Sequence, residues 1–181
     1  GDLSGSRRAA EAALTVYDAP GHEQDYAEAV IDATGTPHAT FLTEDMRPFL
    51  HGALKRRANL SQRTTALILA RLAGLAGLPP DERQRCAAEA AELAEDSGDA
   101  SIAAEVAFGQ GISLWEADGN YLAAVDKLLQ AADLFAKVGS TARQAAAMDA
   151  SITNLMASGQ ISRASLVNED LALLAALIRE P

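Results

Sequence analysis

The stretch 108-FGQGISLWEADGNYLAAVDKLLQAADLF-135 decides the organisation of the chain. Phe108 opens it and Trp115 follows two helical turns later, a spacing that puts both rings on one face of an α-helix. Gly119-Asn120-Tyr121 then breaks the pattern. Glycine just past a helix C-terminus adopts the left-handed backbone that closes the last turn, and asparagine opens the next helix by accepting from its free N–H groups. Ala124, Leu128 and Ala131 resume a helical spacing beyond that turn, so the stretch reads as two helices joined by a tight connector.

The same punctuation recurs outward. Gly139-Ser140 and Gly159-Gln160 repeat the glycine-polar pair, and Pro79-Pro80 is followed by Asp81-Glu82, with proline and acids in the first turn, where the missing N–H and the macrodipole favour them. These marks predict helices over 61–78, 80–97, 99–118, 120–138, 140–158 and 161–179. Gly119 and Gly159 are 40 residues apart, and that shift pairs Phe108 with Met148, Trp115 with Leu155 and Ala124 with Ala164. A two-helix unit at such a period is the pattern of a solenoid, in which a pair cannot bury its apolar face alone and stacking supplies the core.

On these residues Phe108–Phe135 resembles a tetratricopeptide (TPR) repeat. Met148, Leu155, Gly159, Ala164 and Leu171 give a weaker copy further on; Ile68, Leu72, Leu75 and the 80–97 helix give an earlier one with a proline turn. Gly111 stands where that family usually has leucine, Ile112 where it has glycine, and no proline follows Phe135. The phrases LAEDSGDA and FAKVGSTA look more like the degenerate helical arrays of large actinobacterial multidomain regulators of the LuxR-like or STAND kind. The resemblance implies an all-α fold of antiparallel helix pairs stacked as a right-handed TPR-like α-solenoid. It divides the chain into an N-terminal helical segment over 1–60, a degenerate repeat or cap, and three TPR-like helix pairs over 61–181.

Within 1–60, the stretches 5–18 and 22–34 read as amphipathic helices, with Ala9, Ala13, Val16 and Tyr17 on one apolar face and Tyr26, Ala29, Val30 and Ala33 on the other. Gly35-Thr36-Pro37-His38 is turn-like, and 44–58 reads as a helix with Thr43 as N-cap and Pro48 in its first turn.

Composition agrees with helix: 40 of the 181 residues are alanine and aromatics make up 4%, which favours helices that approach closely. A net charge of −10 argues against nucleic-acid binding, which needs clustered Lys and Arg. Between Arg47 and Arg71 the only charges are basic: Arg47, Lys55, Arg56, Arg57, Arg63 and Arg71. They read either as a patch for an acidic partner or as a solvated face paired with the acidic N-terminal segment, and the latter is expected. The polar start Gly1-Asp2-Leu3-Ser4 is unlike a signal peptide, and a start without methionine is what an excised domain would have. No apolar run approaches the roughly 20 residues needed to span a bilayer. With the single cysteine Cys86 excluding an intrachain disulfide, a cytoplasmic setting is expected.

Catalytic signatures are scarce. There is no phosphate-binding glycine loop, and His22-Glu23 is not completed to HExxH. His22, His38 and His51 fall in three separate segments. The acid pairs Glu44-Asp45, Asp81-Glu82 and Glu169-Asp170 read as helix-start residues complementing the dipole, and Glu89, Glu92, Asp96 and Asp99 as solvated. Cys86 has no neighbouring histidine to activate it and reads as packing, and Trp115 reads as core against Ala124 and Leu128.

The chain is therefore expected to be no enzyme, with no catalytic residue, metal or cofactor. The expected function is a protein-interaction or regulatory scaffold that binds a peptide or protein in a concave helical groove. Alternatives are the small-molecule-sensing domain of a transcriptional regulator and, less favoured, an α-helical enzyme. The groove is assigned to Gln110, Ser113 and Glu116 of one unit and Asp149, Thr153 and Met156 of the next, beside Val106, Gly109 and Ala146; the carboxylate clamp of Lys, Arg and Asn used by some TPR proteins has no counterpart there. Leu171, Leu173, Leu174, Leu177 and Ile178 form an arc wider than one neighbour needs, and a homodimer through this last helix, or a covering domain, is expected. No direct nucleic-acid or membrane partner is expected.

Overall fold

A computed structural model describes residues 11–12, 15–34, 46–75 and 77–179. The helices are α1 (Glu23–Thr34), α2 (Arg47–Lys55), a 3-10 turn (Arg57–Asn59), α3 (Gln62–Ala73), α4 (Pro80–Ser97), α5 (Ala100–Asp118), α6 (Tyr121–Lys137), α7 (Thr141–Ala157) and α8 (Ile161–Arg179). Among the described residues there is no strand. The Gly35–His38 connector, Thr43, Glu44-Asp45, Ala9 and Ala13 lie outside the described residues.

Side-chain caps set several starts. Ser61 Oγ accepts from Thr64 N at 3.1 Å, Asp99 Oδ1 from Ser101 N at 2.7 Å, and Asn120 Oδ1 from Ala123 N at 3.3 Å, each filling a donor the first helical turn leaves open. Gly119 closes α5 in the left-handed conformation. The turns after α6 and α7 match bond for bond: Gly139 N and Gly159 N donate to Ala136 O and Met156 O, and Ser140 N and Gln160 N to Phe135 O and Leu155 O.

Helix α3 stops five residues short of the expected 61–78. Gly74 ends it, and Leu75 and Leu78 turn into the core. The guanidinium of Arg83, buried in α4, donates to Ala73 O at 3.3 Å and Leu75 O at 2.9 Å, so the last carbonyl of this helix and one just beyond it gain a charged donor.

Consecutive helices from α3 to α8 pack on one another, α3 also packs on α5, and α1 and α2 pack on each other and on α3. All ten residues Thr64–Ala73 of α3 are buried, the mark of a helix covered all round. Leu50, Ile68, Leu72, Leu75 and Ile102 belong to one apolar cluster. A second holds Phe108, Ile112, Leu128, Phe135 and Met148, with Phe108 and Phe135 edge to face at 6.5 Å. Of the residues paired by the 40-residue shift, Phe108, Met148, Ala124, Ala164 and Leu155 are buried; Trp115 is only partly so. It lies in the last turn of α5, where its carbonyl closes the Gly119 turn, and packs on the edge of the second cluster rather than inside it. Tyr26 and Val30 are core as expected, whereas Val16 is exposed.

Two glycines explain how α5 sits among its neighbours. A Cβ on Gly109 would fall 2.6 Å from Ala70 O of α3, and one on Gly111 would fall 2.7 Å from Leu128 Cγ of α6. Gly111 thus departs from the leucine of the TPR pattern at a point where a side chain would push α6 away.

Candidate functional site

The residues assigned to the groove separate. Gln110 and Ser113 line a surface pocket of about 400 Å³, together with Pro80, Gln84 and Ala87 of α4, Leu114, and Lys127 of α6. Asp149, Thr153 and Met156 are exposed on α7 and do not line it. Glu116 is already paired, with Arg83. Val106, Gly109 and Ala146 are buried, because α3 covers Gly109 and the close approach of small residues closes that face.

Among the described residues the basic segment pairs both with an N-terminal acid and with acids further along the chain. Arg56 bonds Asp18 and stacks over the Tyr26 ring at 4.4 Å. The others reach forward along the chain: Arg57 to Glu89, Arg63 to Asp99 at 3.0 Å, and Arg71 to Glu105 at 2.9 Å; Arg47 donates to Gly77 O at 2.7 Å. Side chains here bond across the next helices because α4 and α5, as well as α1 and α2, lie against α3.

The strongest electrostatic feature is a buried cluster that joins three helices. Glu105 of α5 accepts at Oε1 from Arg71 Nη2 of α3 and from Arg143 Nε of α7 at 3.0 Å, and at Oε2 from Arg143 Nη2. All three side chains are buried. Arg143 lies 4.4 Å over the Phe108 ring and 5.3 Å from Phe135, so its faces meet π-electrons while its edge meets the carboxylate. Arg71 is less well served, since its Nε and Nη1 have no partner. Burial pulls its guanidinium down to about 10, with Glu105 opposing and Arg143 assisting. Beside the cluster lies a cavity of about 180 Å³ reached by Arg71, Glu105, Ser101 and Ser140.

No protein-family model matches the chain, and no curated protein or solved structure shows significant similarity to it.

Cys86 is buried in α4, and burial, with Glu82 adding, pushes its thiol up to about 11, which keeps it protonated and poorly nucleophilic. His22 bonds Asp25 and His51 pairs with Glu82 at 3.3 Å; His38 lies outside the described residues. Asp81-Glu82 occupies the first turn of α4. Glu169-Asp170 is exposed in the middle of α8 rather than at a helix start, since Gly159 has already opened that helix eight residues earlier at Ile161. On α8, Leu171 and Leu174 pack against the second cluster, while Leu166, Leu173 and Leu177 stay exposed; the Ile178 side chain lies outside the described residues. Among the described residues no helix is long and apolar enough to cross a membrane.

The buried cluster is not legible in local spacing. Its one sequence signal is Glu105, the only charge between Asp99 and Glu116.

Proposed function

We propose that this chain is a non-catalytic binding module, a right-handed TPR-like stack of antiparallel helix pairs that takes a peptide or protein segment on its surface. The stack is supported by the packing of each helix on the next and by connectors of the short kind that join antiparallel helix neighbours. The matching turns after α6 and α7 support a recurring unit. The observation that carries the binding role is the pocket of about 400 Å³ between α4, α5 and α6. Gln84, Gln110 and Ser113 offer donors and acceptors to a peptide backbone, Ala87 and Leu114 give apolar contact, and Lys127 supplies a cation.

A photocrosslinking amino acid placed at Gln84 tests this reading in native-host extract, with the same label at exposed Arg163 as the comparison. A partner crosslinked from Gln84, absent from Arg163 and lost on Ser113→Arg, is the expected result. Equal labelling at both positions, or labelling at Gln84 that Ser113→Arg leaves intact with helical content unchanged, would refute it.

A further inference from the structure

The lining of the pocket between α4, α5 and α6 also indicates what kind of segment it takes, an inference that rests on the reading of that pocket as the binding surface. Among the described residues its lining is neutral apart from Lys127. Arg56, Arg71, Arg83 and Arg143 are buried or half-buried, and each holds a carboxylate of this chain. Lys127 is half-buried too, yet among the described residues it makes no ion pair. Its Nζ has Gln130 Oε1 at 3.5 Å, the outer limit of a hydrogen bond. The flexible four-carbon stem can therefore turn the ammonium onto an incoming carboxylate without breaking a stronger contact. In a chain with 25 acids against 15 lysines and arginines, no acid of its own competes for this cation.

The neutral lining suits a backbone. Gln84, Gln110 and Ser113 make no side-chain hydrogen bond to another described residue, and the polar atoms of Gln110 and Ser113 are not buried, so they are open to the amides and carbonyls of an extended chain. The α4 wall runs from Pro80 to Ala87, about 10 Å at the helical rise. That length matches roughly three residues of an extended peptide. Pro80, Ala87 and Leu114 give apolar contact between the polar groups. The net charge of −10 repels a run of acids at long range, whereas a single carboxylate among neutral residues meets one cation and little repulsion.

We propose that the partner is a peptide segment with one aspartate or glutamate flanked by small neutral residues, its carboxylate on Lys127 and its backbone on Gln84, Gln110 and Ser113.

The test is selection by the full chain from a library of heptapeptides randomised at the three central positions, acetylated and amidated so that the ends carry no charge. Wild type is expected to enrich sequences with one central Asp or Glu. The best of them should bind about tenfold more weakly to Lys127→Met, the lower end for a hydrogen bond to a charged group, and equally so to wild type when its acid is replaced by the amide. The two changes together should weaken binding no further than either alone, and Lys127→Glu should enrich Lys or Arg instead. Gln84→Trp, at an exposed position, fills the pocket without adding charge and should remove all enrichment. Enrichment that Gln84→Trp removes but that shows no preference for an acid, or favours acidic runs, would overturn this inference and leave the binding surface standing. So would a stronger preference for a free C-terminal carboxylate in the same library left unamidated. No enrichment by wild type, or enrichment that Gln84→Trp leaves intact, would refute the binding surface as well.

Discussion

Replacing Gly109 by alanine isolates the contact on which the packing of α5 depends. In an open helix this change stabilises by about 1 kcal/mol, because alanine is the better helix former. Here the new Cβ would lie 2.6 Å from the backbone oxygen of Ala70, where ordinary contact begins near 3.4 Å. The helices must separate by roughly the difference, about 0.8 Å, and a backbone atom cannot rotate aside. Overpacking of this kind costs about 1–3 kcal/mol. The upper part of that range applies, and after the propensity gain about 2 kcal/mol of net destabilisation remains. Gly52→Ala is the internal comparison: its Cβ would meet the end of the Tyr26 side chain at 3.1 Å, which can shift, so the propensity gain should survive. Urea unfolding followed by circular dichroism at 222 nm should place the two variants on opposite sides of the wild type, with Gly109→Ala unfolding at the lower urea concentration. A Gly109→Ala protein as stable as wild type or more so would refute the close approach of α3 and α5.

Glu105→Gln leaves Arg71 and Arg143 buried without a counter-charge and should cost about 3–5 kcal/mol; a urea-measured loss below about 1 kcal/mol would mean the cluster is solvated. Cys86 has a folded pKa of about 11 against 9.0, so the folded state holds its proton longer than the unfolded chain does. That contribution is fully present below pH 9 and lost as pH rises towards 11, at most about 2 kcal/mol after solvent screening; stability measured across that range should fall less steeply in Cys86→Ala, and an identical slope would count against it. The exposed stripe Leu166, Leu173 and Leu177 on α8 is expected to support self-association, so sedimentation velocity should show a dimer that Leu173→Glu dissociates, and a monomeric wild type at high concentration would exclude it.

The glycine and proline marks determined where α4 to α8 begin and end to within about a residue, because caps and left-handed turns are local chemistry that the neighbouring residues fix by themselves. Apolar spacing likewise identified Phe108, Ala124 and Leu128 as core. What local pattern could not determine is which neighbour each face meets. Gly111 looked like a departure from a repeat until α6 was found against it, and Val106, Gly109 and Ala146 looked like groove residues until they proved buried. Trp115 has a core residue's spacing but sits where α5 ends, so its burial is partial. Of the assigned groove, Gln110 and Ser113 share a pocket while Asp149, Thr153 and Met156 stand apart from it. The Arg71–Glu105–Arg143 cluster joins residues 34 and 38 positions apart, and a charge this far from its partner in sequence looks like any solvated charge. Only the packing of α3, α5 and α7 removes the water that would otherwise screen the three groups, and the cavity beside Arg71 exists for the same reason.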